Sequence, residues 1–376
     1  MSIELSERLR ARDEDLPFVR AYHRIDGPGS SLDLREFQQA LWRTPTEIPD
    51  SSTDPSGGWS QRMARTVAIT IDTGTVVRAE PYEAGRLSVR SVEYATEVDG
   101  TPGRIAPVRE NWLLKIVESF GLSGVRFTLA NLVEGTHSSG LGGSATATTG
   151  VAVLANALAG SPLGPTQLVG MASRVETEYG VSLTGTQEQS NVLFGGVIDY
   201  VWCPWGVPGE RGTGYGSSVR TTLVEPVDYG ELAARVAIFH TGRERASSST
   251  NAAWIEALRS PEVSADQIEA KLDAAYGYRE GLRTRDWRTV AEAIEAYRAA
   301  RTELCADYMT GAAEMFDIAR RGGGALFPLG AGGGGGTLVF HEDPAGLDAL
   351  VDRLSAGYRR VPFSLRSSGH EIENLD

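Results

Sequence analysis

The chain has 376 residues, of which 41% are hydrophobic, and its formal net charge at pH 7 is −13. This length allows one large domain or two domains. The acidic balance argues against nucleic acid as a partner. The chain lacks an apolar run of membrane-spanning or signal type, which argues against a membrane protein. Two cysteines are too few for a disulfide framework or a zinc site, so we expect a cytoplasmic protein.

The N-terminal half is predicted to mix loops, strands and helices. The segment from Asp26 to Gly58 is rich in Gly, Pro, Ser and Asp, which predicts a loop with one short helix at Leu34–Trp42. The β-branched residues of Arg65–Tyr82 predict a hairpin that turns at Asp72–Gly74. Hydrophobic spacing then predicts a strand pair within Arg86–Val98, a helix at Glu110–Phe120, a strand at Val125–Leu129 and helices at Ala145–Ala159 and Pro165–Tyr179.

The C-terminal half is predicted to follow a Pro- and Gly-rich segment, Cys203–Ser218, which marks a domain boundary. Before it, Val181–Gly196 is predicted to be irregular and Val197–Trp202 to be a strand. The later predictions are strands at Arg235–His240 and Thr337–His341, a helix-rich region at Ser264–Arg321 with a break near Arg283–Asp286, a helix at Pro344–Ala356 and a last strand at Arg359–Leu365. Strands and helices do not alternate regularly, which favours an α+β fold over a doubly wound sheet.

The most informative segment is Ser138–Gly150, whose sequence is SSGLGGSATATTG. Its glycines let the backbone bend tightly and approach a bulky anion. The predicted helix that follows begins with unpaired N–H groups and a partial positive charge. This combination is typical of a phosphate-binding loop. A glycine turn before a close-packed helix is the alternative.

A second glycine cluster, GAGGGGG, lies at Gly330–Gly336. It contains a formal G-x-G-x-x-G, but the apolar segment TLVF that follows predicts a strand, whereas a dinucleotide-binding loop requires a helix there. A flexible linker is the alternative on composition. The apolar flanks ALFPL and TLVF favour a rigid loop that packs closely on another loop. The chain has no G-x-x-x-x-G-K-[ST] segment, which excludes a Walker-type P-loop.

These two loops, in this order and spacing, resemble the motifs of the GHMP kinase superfamily, which phosphorylates small hydroxylated metabolites with ATP. The segments Arg24–Leu34 (RIDGPGSSLDL), Leu183–Tyr200 (LTGTQEQSNVLFGGVIDY) and His240–Thr250 (HTGRERASSST) are similar to those of the D-glycero-D-manno-heptose 7-phosphate kinase type. The resemblance implies a two-domain α+β fold, with a ribosomal S5 domain 2-like domain over residues 1–228 and a ferredoxin-like domain over residues 229–376. It also implies ATP and Mg²⁺ as cofactors and a small sugar or sugar phosphate as partner, and it leaves room for a homodimer.

Several positions depart from the family's pattern, among them Thr136 and His137, which stand where the family has prolines. Gly143 replaces a serine, Phe327 replaces a lysine before the second glycine loop, and Glu188 replaces the catalytic aspartate. The insert from Arg35 to Gly58 has no counterpart in the family. These departures favour a divergent substrate, with a relative that has lost catalysis as the alternative.

The resemblance implies a nucleotide and metal site. It assigns Glu188 as the base that accepts the proton of the substrate hydroxyl, and Ser144 and Glu176 as hard oxygen ligands of Mg²⁺. The alternatives are a surface glutamate for Glu188 and a solvated helix face for Glu176. The adenine pocket is expected near Glu93–Trp112. The residues implied to bind the phosphates of ATP are Ser139, Gly140, Leu141, Gly142, Gly143, Ser144, Ala145, Thr146, Gly332, Gly333 and Gly334.

The resemblance also implies a sugar site. Asp33 is implied to grip sugar hydroxyls, with an N-cap of the helix that follows it as the alternative. The forked guanidinium of arginine suits a phosphate on the substrate, and a salt-bridged surface arginine is the alternative. The residues implied to bind substrate are Asp33, Arg24, Gly185, Arg243, Ser247 and Ser248.

The function that the resemblance implies is phosphorylation of the anomeric hydroxyl of a heptose 7-phosphate, for nucleotide-sugar or specialised-metabolite biosynthesis. One alternative is a kinase for another small polyol, such as a cyclitol, an aminosugar or a hexose. The other is a nucleotide or sugar sensor that has kept the fold without catalysis.

Overall fold

A computed structural model of the protein describes residues 3–12, 15–38, 63–134, 140–160, 163–203, 217–243, 247–260 and 263–375. The strands are β1 Ile3–Glu4, β2 Phe18–Asp26, β3 Arg65–Pro81, β4 Leu87–Ser91, β5 Thr96–Gly100, β6 Leu122–Ser123, β7 Val125–Asn131, β8 Val197–Trp202, β9 Ser218–Val224, β10 Val236–His240, β11 Ala325–Pro328, β12 Gly336–Phe340, β13 Arg359–Val361 and β14 His370–Glu373. The helices are α1 Ser6–Arg10, α2 Trp112–Ser119, α3 Gly143–Leu158, α4 Pro165–Glu178, α5 Gln187–Phe194, α6 Tyr229–Ala233, α7 Ser247–Arg259, α8 Ala265–Thr284, α9 Trp287–Leu304, α10 Ala313–Arg321 and α11 Pro344–Ser355. None of the helices in these ranges combines the length and the apolar character needed to span a bilayer.

The larger sheet has the strand order β14-β2-β3-β7-β4-β5, with β8 on another part of β3 and β9 beside β8. Helices α2, α3 and α4 share a hydrophobic core with its strands. Helix α3 packs closely because its residues are small: a Cβ on Gly150 would lie 3.1 Å from side-chain atoms of Ala21 and Val77. This close packing fixes the N-terminus of α3, where the first glycine loop ends, against β2 and β3.

Strand β3 departs from the sequence prediction. Arg65–Pro81 is a single strand of 17 residues, so the hairpin predicted to turn at Asp72–Gly74 is wrong. The pairing with β2 shifts its register between Tyr22 and His23, because two extra residues of β3 form a β-bulge there. The turn-like residues therefore mark a bulge within a long strand.

The smaller sheet is antiparallel, with the strand order β11-β12-β10-β13. Along the chain, helices separate β10 from β11 and β12 from β13, which gives the β-α-β-β-α-β order of a ferredoxin-like domain. Together with the larger sheet, this confirms the α+β fold. The predicted break in the helical region is confirmed too, because α8 ends at Thr284 and α9 begins at Trp287.

Several elements differ from the predictions. Strand β2 was not predicted, and α5 forms within the stretch predicted to be irregular. The last predicted strand ends at Val361, and β14 pairs with β2, so the end of the chain joins the larger sheet. Residues 35–38 are helical and Leu34 is not, and residues 39–42 of the helix predicted at Leu34–Trp42 lie outside the described residues. The domain division between residues 228 and 229 stays a prediction.

Candidate active site

A cavity of about 390 Å³ is enclosed by residues from both halves of the chain. Strands β2, β4, β5 and β7, helix α2 and the start of α3 contribute from the first half, and α7 and the second glycine loop contribute from the second. The predicted site residues that line it are Arg24, Gly140, Gly142, Gly143, Ser144, Ala145 and Glu188. The predicted residues that are buried outside this lining are Leu141, Thr146, Glu176, Asp33, Gly185, Gly332 and Gly334.

The first glycine loop has the backbone geometry that its sequence predicts. Gly140 and Gly142 have φ angles of 75° and 88°, in the left-handed region that favours glycine. Among the described residues, no acceptor takes a hydrogen bond from the amides of Leu141 to Ala145. The start of α3 therefore keeps unpartnered donors beside the cavity, as a phosphate-binding helix terminus requires. The predicted phosphate ligand Ser139 lies outside the described residues.

Glu176 in α4 is a fully buried carboxyl group. Thr148 donates from its hydroxyl to Oε1, Ser144 donates to the same oxygen at 3.4 Å, and the side-chain amide of Gln189 donates to Oε2 at 3.4 Å. Burial raises its pKa to about 8, although the hydrogen bond from Thr148 opposes the shift. Glu176 is therefore held beside Ser144, and the alternative of a solvated helix face is wrong.

Glu188, in the first turn of α5, pairs with Arg24 of β2. Arg24 is buried and donates from Nη2 to Oε1 of Glu188 and from Nη1 to the carbonyl oxygen of Gly140 at 3.2 Å. Burial lowers the pKa of the guanidinium, but the surrounding carboxylates, with Asp26 first, outweigh burial and raise it above its usual value. Arg24 thus connects the predicted base to the first glycine loop.

The carboxylate of Asp33 binds backbone amides of a segment that is distant in sequence. Its Oδ2 accepts hydrogen bonds from the amides of Thr186 and Gln187, at 2.6 and 2.8 Å. It therefore binds the start of α5, not the helix that follows it in sequence. Burial, followed by the charge of Glu188, raises its pKa to about 7. Asp33 does not line the cavity, and its contact with a sugar stays a prediction.

The second glycine loop forms hydrogen bonds within the protein. Gly332 donates its amide to the carbonyl of Leu329 at 3.3 Å, and Gly333 donates to the carbonyl of Tyr308 at 2.8 Å. The amide of Gly330 donates to the carboxylate of Asp26. This is the rigid, closely packed loop that its apolar flanks predict. The amides of Gly332 and Gly333 are not free for a phosphate in this arrangement, and the contacts of Gly332, Gly333 and Gly334 with ATP stay predictions.

Of the arginines predicted to hold a phosphate on the substrate, Arg24 lines the cavity and Arg243 does not. The side chain of Arg243 is exposed and lies against Gly311. Ser247 and Ser248 begin α7, and their side chains lie outside the described part of the structure. Among the described side chains of α7, Asn251 lines the cavity.

His23 and Asn131, which no sequence pattern indicated as site residues, also line the cavity. The Nδ1 of His23 lies 3.2 Å from the hydroxyl of Thr73 in the bulge, while its Nε2 has no partner among the described residues. Burial, with a smaller contribution from Arg24, lowers its pKa to about 3. The side-chain nitrogen of Asn131 is buried and likewise lacks a partner in the described ranges. Such unpartnered buried groups are expected where a polar ligand binds.

The region expected to hold adenine also lines the cavity. Glu93, between β4 and β5, and Glu110 and Trp112, at the start of α2, contribute side chains to it. An aromatic ring beside carboxylates can stack on a nucleobase and accept its N–H groups. The cavity therefore joins the expected base region to the first glycine loop and Glu188.

Comparison with known proteins gives one family match. Residues 110–196, which contain the first glycine loop and Glu188, match the model of the GHMP kinases N terminal domain. No curated protein sequence matches the chain.

Solved structures share the fold of the whole chain. A putative sugar kinase from Campylobacter jejuni has a TM-score of 0.64 at 17% identity, covering 95% of this chain and 98% of that one. A D-glycero-D-manno-heptose 1-phosphate kinase from Bacteroides thetaiotaomicron has a TM-score of 0.64 at 16% identity, with coverages of 95% and 98%. A galactokinase from Lactococcus lactis, complexed with galactose, has a TM-score of 0.65 at 14% identity, with coverages of 98% and 99%.

Proposed function

Because residues 110–196 match the GHMP kinases N terminal domain and the whole chain shares its fold with sugar kinases, we propose that this chain is a small-molecule kinase, which transfers a phosphoryl group from ATP to a hydroxyl of a sugar or sugar phosphate. The observation that carries the proposal is the pairing of two features across one cavity. The amides of Leu141 to Ala145, which have no acceptor among the described residues, would supply an anion site, and Glu188 would supply a carboxylate beside it. Phosphoryl transfer needs this combination of electrostatic positioning and a base for the attacking hydroxyl.

The first glycine loop would receive the phosphates of ATP. The amides at the start of α3 donate to phosphate oxygens, and the helix dipole favours negative charge at the same place. Trp112 and the carboxylates near it would receive the base. These contacts position the nucleotide with its terminal phosphate toward Glu188.

Ser144 and Glu176 would hold Mg²⁺. Both present hard oxygen atoms, as Mg²⁺ prefers, and Glu176 is a buried carboxyl with hydrogen-bond donors but no cation among its described partners. The described residues contain no group of three His, Cys, Asp or Glu side chains that could hold a metal alone, so the nucleotide would supply further ligands. When bound, the ion would neutralise charge on the phosphates.

Glu188 would accept the proton of the attacking hydroxyl. Arg24 occupies its Oε1, and no described residue donates to Oε2, which leaves that oxygen for the substrate. Glutamate places its carboxylate one methylene further from the backbone than aspartate does. Because a displacement of about 1 Å can cost on the order of a hundredfold in rate, the longer side chain implies a differently placed hydroxyl.

For the substrate we propose the anomeric hydroxyl of a heptose 7-phosphate, which rests on the sequence resemblance of Arg24–Leu34 and His240–Thr250 to that kinase type. The neighbour described as a heptose 1-phosphate kinase supports a sugar of this size. In this proposal Arg243, Ser247 and Ser248 bind the phosphate already on the sugar. Phosphorylation of another polyol, or binding without catalysis, remains the alternative.

The test is ADP formation from ATP with a panel of sugars, sugar phosphates, aminosugars and cyclitols. We expect turnover with at least one member and at least a hundredfold loss, on the order of the usual contribution of a general base, in Glu188→Gln. ADP should bind that variant as it binds the wild type.

Full turnover in Glu188→Gln would exclude Glu188 as the base. ATP binding with no turnover on any acceptor would favour the sensor, and equal turnover of heptose and heptose 7-phosphate would exclude the phosphate site.

A further inference from the structure

Asp26, the last residue of β2, joins the second glycine loop to the centre of the site. Its side chain is fully buried, and both carboxylate oxygens lie 3.1 Å from the amide nitrogen of Gly330. Ser30, four residues later, donates from its hydroxyl to the carbonyl of Gly330 at 3.3 Å. Gly330 is therefore held by one contact with a carboxylate and one contact with a hydroxyl.

Arg24 lies two residues before Asp26, on the same face of the strand. Its Nη1 is 3.6 Å from Oδ1 of Asp26, and its Nη2 donates to Glu188. Within the described residues, no other arginine or lysine forms an ion pair with either carboxylate. One buried guanidinium is thus divided between the carboxylate that holds the second glycine loop and the proposed base.

We propose that Asp26 is a positioning residue. Its carboxylate holds Arg24 against Glu188 and also anchors Gly330. One ion-pair network would then position both the proposed base and the second glycine loop. The proposal rests on the function proposed above for Glu188. A buried arginine requires carboxylates around it, because a buried charge without a partner is strongly destabilising. With Asp26 on one side, Arg24 needs only one oxygen of Glu188, which leaves the other oxygen for the substrate.

The first test does not depend on activity. It is a double-mutant cycle of Asp26→Asn and Glu188→Gln in the full chain without ligand, followed by denaturant unfolding. Each single variant leaves Arg24 one of its two ion-pair partners, and the double variant removes both. We therefore expect the double variant to lose more stability than the sum of the single losses.

Ser30→Ala combined with Glu188→Gln is the control pair. Its effects on stability should be additive, because Ser30 contacts Gly330 without touching Arg24. Additivity in the Asp26 pair would overturn the proposal.

The second test separates positioning from loop anchoring. Asp26→Asn keeps an oxygen that can accept from Gly330 but loses the charge, whereas Asp26→Ala loses both. We expect both variants to lower kcat at least about tenfold and to change KM for ATP less than about threefold, since the ATP phosphates bind at α3. Ser30→Ala should keep a kcat close to that of the wild type.

Two kinetic results would contradict the role of Asp26. One is a wild-type kcat in Asp26→Asn, and the other is a rise of KM for ATP in step with lost stability, which would indicate a structural role only. If the wild type transfers phosphoryl groups to no acceptor, the proposed function fails, while the unfolding cycle still decides whether Asp26 and Glu188 are linked through Arg24.

Discussion

The carboxylate of Asp33 occupies the space where Gly185 would carry a side chain. A Cβ built on Gly185 would lie 1.8 Å from Oδ2 of Asp33, the oxygen that binds the amides of Thr186 and Gln187. Asp33 thus caps α5 from a loop more than a hundred residues earlier in the chain. This contact places the first turn of α5, and with it Glu188, beside the cavity.

Substitution Gly185→Ala should therefore lower stability and activity together. Asp33 would have to move away from both amides, and we expect a loss of about 2–3 kcal/mol in the free energy of unfolding, typical of overpacking combined with lost hydrogen bonds. Denaturant unfolding measures it. Gly230→Ala is the control, because a Cβ on Gly230 in α6 would have no neighbour within 4 Å. Wild-type stability in Gly185→Ala would show that Asp33 does not hold the start of α5.

The two glycine loops should respond differently to alanine. In Gly332→Ala a Cβ would lie 2.0 Å from the ring of Tyr308, at a φ of 79°, so we expect lost stability with an unchanged Kd for ADP in the folded fraction. In Gly142→Ala the Cβ would lie 2.9 Å from Cγ of Glu188, at a φ of 88°, so we expect weaker ADP binding and lower turnover. Calorimetric titration with ADP and thermal unfolding separate the two. If Gly332→Ala weakened ADP binding without destabilising the fold, the second loop would be a nucleotide loop.

The sequence predicted the parts of the site that depend on local structure. The first glycine loop and α3 follow from glycine geometry and helix termini, both of which are set within a few residues. Strand β2 was missed because His23, Arg24 and Asp26 make it look polar, while the fold buries all three side chains. Helix α5 was missed for a related reason, since its cap comes from Asp33, which is distant in sequence.

Some of the missed partners could have been found from spacing. Thr148 lies four residues after Ser144 on α3, and residues four apart share a helix face. Asp26 lies two residues after Arg24, and residues two apart share a strand face. The contact between Asp26 and Gly330 could not be found in this way, because it joins segments that only the tertiary fold brings together.

The buried carboxyl of Glu176 should make stability fall as pH rises. Its pKa in the folded protein is about 8, raised first by burial, against 4.5 as the ordinary value. Between these values the folded state binds more protons than the unfolded state, so the stabilising contribution is present below about pH 4.5 and is lost as pH rises through 8.

Unfolding of the ligand-free protein at pH 5.5, 7 and 8.5 should show a decline in stability that is smaller in Glu176→Gln than in the wild type. The exposed neighbour Glu178 provides the control, because Glu178→Gln should keep the wild-type decline. Equal declines in the wild type and Glu176→Gln would contradict the burial of an ionisable group there.

His23 should make stability fall as pH falls, opposite to the effect of Glu176. Burial, followed by Arg24, lowers its pKa to about 3 from an ordinary value of 6.5. The folded state therefore binds fewer protons than the unfolded state between these values, so stability is lost as pH falls below about 6.5. The loss of stability between pH 6.5 and pH 4 should be smaller in His23→Gln than in the wild type.

Nitrogen NMR of the imidazole of His23, assigned by its disappearance in His23→Gln, should show a neutral ring at pH 5. Thr73→Val should change the balance of tautomers, because the hydroxyl of Thr73 is the described partner of Nδ1. A charged imidazole at pH 5 would show that water reaches His23. It would contradict the burial of the ring between the bulge in β3 and the first glycine loop.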